Sequence, residues 1–307
     1  MTAAAPRIAL LTPTYRGDLE RFAMLREALE AWGCDWPHYA VVQTEDLPLF
    51  RQRLGESRVH WLTTAEVLPP EVEAARRRLS AMPERLRRFR RSLQKRFGWF
   101  PDASCDGWHA QQLVKLTVPA RAEHEAYLVL DSDLVPTAPL RAERYWQDGR
   151  VALMAEDNPT FRHWADAAAA VLGLPAETVR GSNFVAHPFV FAPQAVRGLH
   201  AHLEARHHQP WWRALLDLKP GDLSEFSIYG AYVRWVAAGA HHYEVPANAR
   251  TRWVLSAEDS AAVRAAIDGA FTAPDIDFLV LQASRRWPIE PYLPAIRAAL
   301  QRAVAAR

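Results

Sequence analysis

Short apolar runs alternate with helix-like stretches along the chain, and this alternation limits the fold more than any other feature. The runs "RIALLT", "HYAVVQT", "RVHWLTT", "YLVLDSD", "RVALMAE", "NFVAHPFVFA", "HHYEVP" and "DFLVLQ" read as strands, and segments such as "LERFAMLREALEAW" and "GWHAQQLVKLTVPARA" read as helices between them. The pattern predicts an α/β fold with a mostly parallel sheet flanked by helices. Half of the 307 residues are hydrophobic, enough for a substantial core, and no repeat or low-complexity linker divides them. A single domain spanning 1–307 is therefore expected.

Several function classes are disfavoured at this stage. The formal net charge of +2 supplies no global field for nucleic acid. Cys34 and Cys105 are far apart and lack metal-ligand spacing, which suits a reducing cytoplasm better than a disulfide framework. The apolar run near the start ends in Thr-Pro-Thr and reads as a first strand rather than an export signal. No uninterrupted apolar run reaches the roughly eighteen residues that a spanning helix needs, so the expectation is a cytoplasmic protein whose membrane contact, if any, is peripheral.

One segment departs from the balanced charge. Between Arg76 and Arg96 there are ten Lys or Arg and a single acid, Glu84, with Leu79, Met82, Leu86, Phe89, Leu93 and Phe97 at helical spacing. This predicts a helical insertion over about 69–100 carrying a basic amphipathic helix pair. Three readings stay open: a solvated face over a core-facing stripe, a surface for an anionic membrane or acceptor, and, with the least weight, a nucleic-acid contact.

The stretch "YLVLDSDLVP" reads as a buried strand that ends in two acids and turns at Pro136. Asp131 and Asp133, two apart across a tight turn, can converge on one hard divalent cation, since Mg²⁺ and Mn²⁺ prefer oxygen ligands and keep phosphate oxygens in their shell. The plainer alternative is a pair of turn or cap aspartates.

Together with "LLTPTYRGDLERFAMLREAL", "GWHAQQLVKL" and "SEFSIYGAYV", this strand resembles uncharacterised bacterial glycosyltransferase-like proteins with a DxD motif, and more broadly nucleotide-sugar transferases of the GT-A fold. The resemblance covers most of the chain. It implies a GT-A-like, Rossmann-type sheet, a nucleotide-sugar donor, a glycan or lipid-linked acceptor, and a Mn²⁺ or Mg²⁺ cofactor. It would make Asp131, Ser132 and Asp133 the metal and ribose contacts and would seat the nucleotide on the loop after the first strand.

The remaining residues take roles on the same terms. In "TPTYRGD", Thr12 offers a hydroxyl, Tyr15 can stack on a base, Arg16 can meet phosphate and Asp18 can accept from base or ribose. Thr14 or Asp18 can equally cap the following helix. Gln111 and Lys115 share a helix face, and with Gln112 they are candidates for the donor sugar or diphosphate; a surface helix would tolerate them too. Asn183 and His187 are candidate sugar contacts, with a satisfied core histidine as the alternative for His187. Glu225, then Asp222, is the candidate general base, though Ser224 and Glu225 also suit a helix cap. The family pattern departs at "DFLVLQASRRWP", where Gln282 stands in place of an expected metal-binding histidine and Arg285 and Arg286 suit a diphosphate. Two other functions remain open: a haloacid-dehalogenase-type phosphohydrolase, which also places Asp-x-Asp after a strand, and a non-catalytic nucleotide- or sugar-binding protein.

Overall fold

The computed structural model describes residues 7–55, 58–97, 105–159, 161–219, 221–257, 259–283 and 287–307. Its central sheet has five strands: β1 (Ile8–Pro13), β2 (His38–Val42), β3 (Val59–Thr63), β4 (Ala126–Val129) and, further along the chain, β8 (Phe189–Phe191), in the order β3-β2-β1-β4-β8. All pairings are parallel except β4 with β8. Every residue of β1 and β4 is buried, because helices cover both faces of the sheet.

Strand succession from β1 to β3 runs one way, and the return to β4 runs the other. Right-handed crossovers therefore put α1 (Leu19–Ala31) and α2 (Leu47–Leu54) on one face. The opposite face takes α6 (Gly107–Ala120), which packs on β1 and β4 and against α3 (Thr64–Val67) and α4 (Pro70–Ala81). Phe22 of α1 and Phe50 of α2 wedge against Trp61 of β3. The reversal of strand order lies between β1 and β4, so the loops leaving these two strands open onto one crevice.

Two smaller sheets flank the central one. Before β8, the chain makes β5 (Leu134–Pro136), β6 (Trp146–Gln147) and β7 (Arg150–Ala155); after it come β9 (His242–Pro246), β10 (Thr251–Val254) and β11 (Phe278–Leu281). The sheets have orders β6-β7-β9 and β10-β11-β5. Helices α7 (Arg162–Leu172), α8 (Ala176–Arg180), α9 (Pro193–His207), α10 (Trp211–Leu216) and α11 (Glu225–Ala231) build the middle of the molecule. The β10-β11-β5 sheet shares a second apolar core with α1, α12 (Ser260–Thr272) and α13 (Leu293–Ala305). Met24 and Ala28 of α1 face this second core while Phe22, Leu25 and Leu29 face the first. That double burial explains why α1 is buried on most of its sides, Arg21 and Arg26 included, a pattern that a one-faced surface helix would not show.

The expected α/β architecture with a mainly parallel central sheet is present, with two corrections. In "NFVAHPFVFA" only Phe189–Phe191 is a strand; Asn183 makes an isolated bridge to Glu156. The insertion does form two helices, α4 and α5 (Glu84–Phe97), but their apolar stripe is not uniformly core-facing. Leu79 is buried whereas Leu86, Phe89 and Phe97 are 46%, 59% and 49% exposed. No helix among the described residues is long and apolar enough to cross a membrane.

Candidate active site

The site forms where the strand register requires it. Antiparallel pairing of β4 and β8 matches Tyr127 with Phe191, Leu128 with Val190 and Val129 with Phe189. Two residues beyond the end of this pairing on each strand, Asp131 and His187 meet through their side chains. His187 Nδ1 is 3.3 Å from Asp131 Oδ2. Likewise, the β5–β11 pairing ends at Leu134 with Val280, and one step on the Leu281 amide donates to the Asp133 carbonyl at 2.9 Å. The Ala283 amide then donates to Asp133 Oδ2 at 2.7 Å. Both aspartates thus sit in a turn closed by the Leu134 amide on the Asp131 carbonyl, with β8 on one side and the end of β11 on the other.

Lys115 occupies the centre. Its ammonium is 2.9 Å from Asp131 Oδ1 and 2.8 Å from Glu225 Oε1, and it lies 4.6 Å from the centroid of the Phe226 ring. Burial opposes a charged ammonium, but the two carboxylates outweigh it and hold the lysine pKa above its ordinary value. Burial would likewise raise Asp131, yet Lys115 and then His187 bring it below the usual range. Burial pushes His187 down to about 4, with Asp131 opposing and Lys115 adding to the effect, so it meets Asp131 as a neutral ring. Phe226 and Trp253 pack edge-on against that ring, Asn248 Oδ1 accepts from the His187 amide at 3.1 Å, and the Thr251 hydroxyl donates to the His187 carbonyl.

Asp133 behaves differently from Asp131. Burial, Asp131 and Asp18 all act to raise it, and its pKa is pushed up to about 7 despite the Ala283 amide and Arg21. Asp18 is itself raised by burial, with Arg21 and a hydrogen bond from Ser132 opposing. Four acids (Asp18, Asp131, Asp133, Glu225) meet two fixed cations (Lys115, Arg21), so four minus two leaves two formal negative charges. Among the described residues no group of three or more His, Cys, Asp or Glu is arranged to hold a metal ion.

The other expected residues divide by what their side chains already bond. Thr12 is fully buried; its hydroxyl donates to the Leu130 carbonyl at 2.7 Å and is 2.9 Å from His38 Nε2. Because Arg26 Nη1 can only donate to His38 Nδ1, the neutral ring must donate from Nε2 to Thr12. Thr12 therefore steadies the strand that ends in the aspartates, away from the crevice. Arg16 is held by Asp46 through its backbone amide at 2.8 Å and its Nε at 2.6 Å. Tyr15 is 40% exposed and its ring lies across Gly17, where a Cβ would come within 2.5 Å of the ring. Gln112 is buried; its Oε1 accepts from the Glu225 amide at 3.1 Å, and its Nε2 has no partner. Gln111, one residue before, is half-buried. Asn183 Oδ1 accepts from the Val185 amide two residues on, which is an Asx turn and not a surface contact. Ser224 caps α11 by accepting from the Ser227 amide at 3.2 Å, so Glu225 enters the first turn of the helix buried against Lys115. Asp222 is half-buried in the loop before it. Gln282 is half-buried between the two residues whose amides bond Asp133, while Arg285 and Arg286 lie outside the described residues.

Sequence reasoning did not single out Arg21, Asp46, Asn248, Thr251 or Phe226. Arg21 is 5% exposed and ties the crevice to the chain's far end, donating to the carbonyls of Leu281 and Trp287 at 2.6 Å each. Its spacing from Asp18 is the helical i,i+3 of an ion pair, and the groups lie 3.9 Å apart. That spacing was the available signal. The others are polar or aromatic residues in loops and short elements without a pattern of their own.

A family model described as "Family of unknown function (DUF6492)" matches residues 8–269. No curated protein matches the chain. Solved structures of similar outline include mouse xyloside xylosyltransferase 1 in its apo form, at 12% identity and TM-score 0.46, covering 90% of this chain and 98% of that one. The galactosyltransferase LgtC, solved with donor and acceptor sugar analogues, follows at 8% identity and TM-score 0.44, covering 94% and 95%. The WbbM bifunctional glycosyltransferase matches at 9% identity and TM-score 0.48, covering 98% of this chain and 50% of that one. These likenesses are faint in sequence and in shape, so the chemistry has to rest on the chain's own residues.

Proposed function

Since the chain belongs to DUF6492, a family of unknown function, its reaction must be inferred from its own site, and we propose a divalent-cation-dependent glycosyltransferase that moves a sugar from a nucleotide-sugar donor to an acceptor hydroxyl. The observation that carries this reading is the uncompensated charge at the β1–β4 crevice. Burial first, and then the neighbouring Asp131 and Asp18, push Asp133 up to about 7, and a cation brought there would favour its charged form. A cation held by Asp131 and Asp133 would neutralise the diphosphate leaving group.

The chain's own groups then have defined parts. Tyr15, exposed above Gly17 at the end of β1, offers a ring for the base, and Arg16 is aimed by Asp46. Lys115 faces Asp131 and is steered by Glu225; Glu225, 5% exposed at its side chain, acts through the lysine as a positioning residue. In the transfer, the bond between the anomeric carbon and the diphosphate oxygen breaks and a bond to the acceptor oxygen forms. The acceptor's proton must go to a base, for which the half-buried Asp222, three residues before Glu225, is the candidate. A glycan or lipid-linked hydroxyl is the acceptor class.

Thermal unfolding of the purified chain with nucleoside diphosphates, in Mn²⁺, Mg²⁺ or chelator, tests the proposal. A ligand that binds only the folded state raises Tm, and the expected rise needs metal and disappears in Asp133→Asn. Hydrolysis of an aryl phosphate that is lost in Asp131→Asn would instead make the protein a phosphohydrolase. Metal-dependent binding with no turnover of any nucleotide sugar would leave a binding protein.

A further inference from the structure

The basic helix α5 has no place in the chemistry above, yet its shape is specific. Residues 84–89, its first turn and a half, are exposed at every position. Leu86, Phe89, Leu93 and Phe97 recur at i, i+3, i+7 and i+11 and so share one helix face. Leu86 and Phe89 are about half exposed or more, and Phe97 carries the Arg96 guanidinium over its ring at 5.1 Å. Around this face the fourteen-residue helix has seven basic residues (Arg85, Arg87, Arg88, Arg90, Arg91, Lys95, Arg96) against the single acid Glu84. The neighbouring helix α4 shows what a packed version looks like. It buries Val72, Ala75 and Leu79, and its Arg76 is paired with Glu73 at 2.7 Å.

We propose that α5 docks the protein on an anionic lipid bilayer, with Leu86 and Phe89 entering the interfacial layer and the arginines lying at headgroup level. An interfacial helix needs an apolar ridge together with cations on its flanks. Both are present on α5 and exposed in the same turns. Nucleic acid would use the cations but has no use for Leu86, and a purely solvated face would not place large apolar residues in its exposed turns. The helix is also coupled to the crevice. Arg91 Nη1 is 3.1 Å from Asp106 Oδ2, and Asp106 caps α6 by accepting from the His109 amide. Nine residues along α6 stands Lys115, roughly 14 Å away at helical rise. Docking through α5 would therefore bear directly on the helix that carries Lys115.

Co-flotation of the full chain with vesicles tests this independently of any transfer activity. The chain should float with vesicles of equal parts phosphatidylcholine and phosphatidylglycerol and stay behind with phosphatidylcholine alone. Replacing Arg85, Arg87 and Arg88 by Gln should weaken binding on the order of a hundredfold, at about fivefold per basic residue near an anionic surface. Leu86→Ser with Phe89→Ser, all charges kept, should weaken it by about tenfold or more. All five positions are exposed, and circular dichroism verifies that the variants fold. Equal flotation with neutral vesicles, or none with either composition, would overturn the proposal. So would a Leu86→Ser/Phe89→Ser variant that binds anionic vesicles as well as the parent, since the face would then read charge alone. Displacement from the vesicles by a duplex oligonucleotide that binds this variant unchanged would reassign the face to nucleic acid.

Discussion

Replacing Lys115 by Met tests whether the crevice is organised around a buried charge. Its ammonium lies 2.9 Å from Asp131 and 2.8 Å from Glu225, and the residue is 4% exposed. At an effective dielectric constant of about 20, each contact is worth roughly 6 kcal/mol of gross attraction. Most of that is cancelled by taking the three groups out of water. The loss on mutation is still large, because methionine fills similar volume but leaves Asp131 and Glu225 facing one another with no cation between them. Breaking a buried ion pair in this way typically costs about 3–5 kcal/mol. Spread over the unfolding entropy of a chain this long, that lowers Tm by about 5–8 °C. Urea unfolding followed by circular dichroism measures the cost directly. Glu225→Gln should cost less, since Lys115 keeps Asp131 and the amide oxygen can still accept from it. The double variant should recover about 1–3 kcal/mol relative to the sum of the singles, the coupling expected of groups in one network. A Lys115→Met cost under about 1 kcal/mol, or no coupling with Glu225, would refute the description of Lys115 as the counterion that holds these acids together.

Three further outcomes are expected. Asp133→Asn keeps an oxygen to accept from the Ala283 amide, so stability should change by less than about 1 kcal/mol while the metal-dependent nucleotide shift is lost; calorimetric titration of Mn²⁺ with a nucleoside diphosphate reads this. Gly17→Ala puts a methyl within 2.5 Å of the Tyr15 ring and must turn the ring aside; nucleotide affinity measured by titration should fall by about 1–2 kcal/mol, the scale of one base-stacking contact. His200 stacks on Trp211 at 3.9 Å, has no partner for Nε2, and is lowered to about 4 by burial. The folded state holds it neutral while the unfolded chain takes up a proton below about pH 6.5. Its contribution is thus fully present above that pH and is lost as pH falls towards 4, at up to about 1.4 kcal/mol per pH unit. His200→Phe should flatten that part of the unfolding-energy profile, and an unchanged slope between pH 6 and pH 4.5 would count against it.

The long buried strands were legible because burial on both faces leaves a continuous apolar run, as in β1, β2 and β4. The short ones were not. β5 and β10 are three and four residues long, and "LVP" and "TRWV" carry no periodicity that distinguishes them from loop. Their importance comes from pairing. Only once β5 meets β11 does Leu281 reach Asp133, and only once β8 takes its antiparallel place does His187 meet Asp131. The same limit applied to α5. Helical spacing of Leu86, Phe89 and Phe97 predicted a shared face, but spacing cannot say whether that face meets protein or solvent, and here it meets solvent.

Within the site, the sequence exposed the chemistry-bearing residues but not who neutralises whom. Asp131 and Asp133 share a residue type, a turn and a motif, yet their environments drive them apart. Asp131 is opposed by Lys115 and faced by His187, whereas Asp133 meets two other acids, one backbone amide and the more distant Arg21. This asymmetry is set by residues scattered at positions 18, 21, 115, 187 and 283, none of which lies within a dozen residues of the motif. Of the two carboxylates, the one without its own cation is where an added positive charge gains most. Metal-dependent binding should therefore be more sensitive to Asp133→Asn than to Asp131→Asn, whose loss also frees Lys115 from half of its pairing and should appear first as lost stability. Titration and unfolding of the two variants side by side separate these effects, and equal losses of both kinds in both variants would show that the aspartates act as one unit.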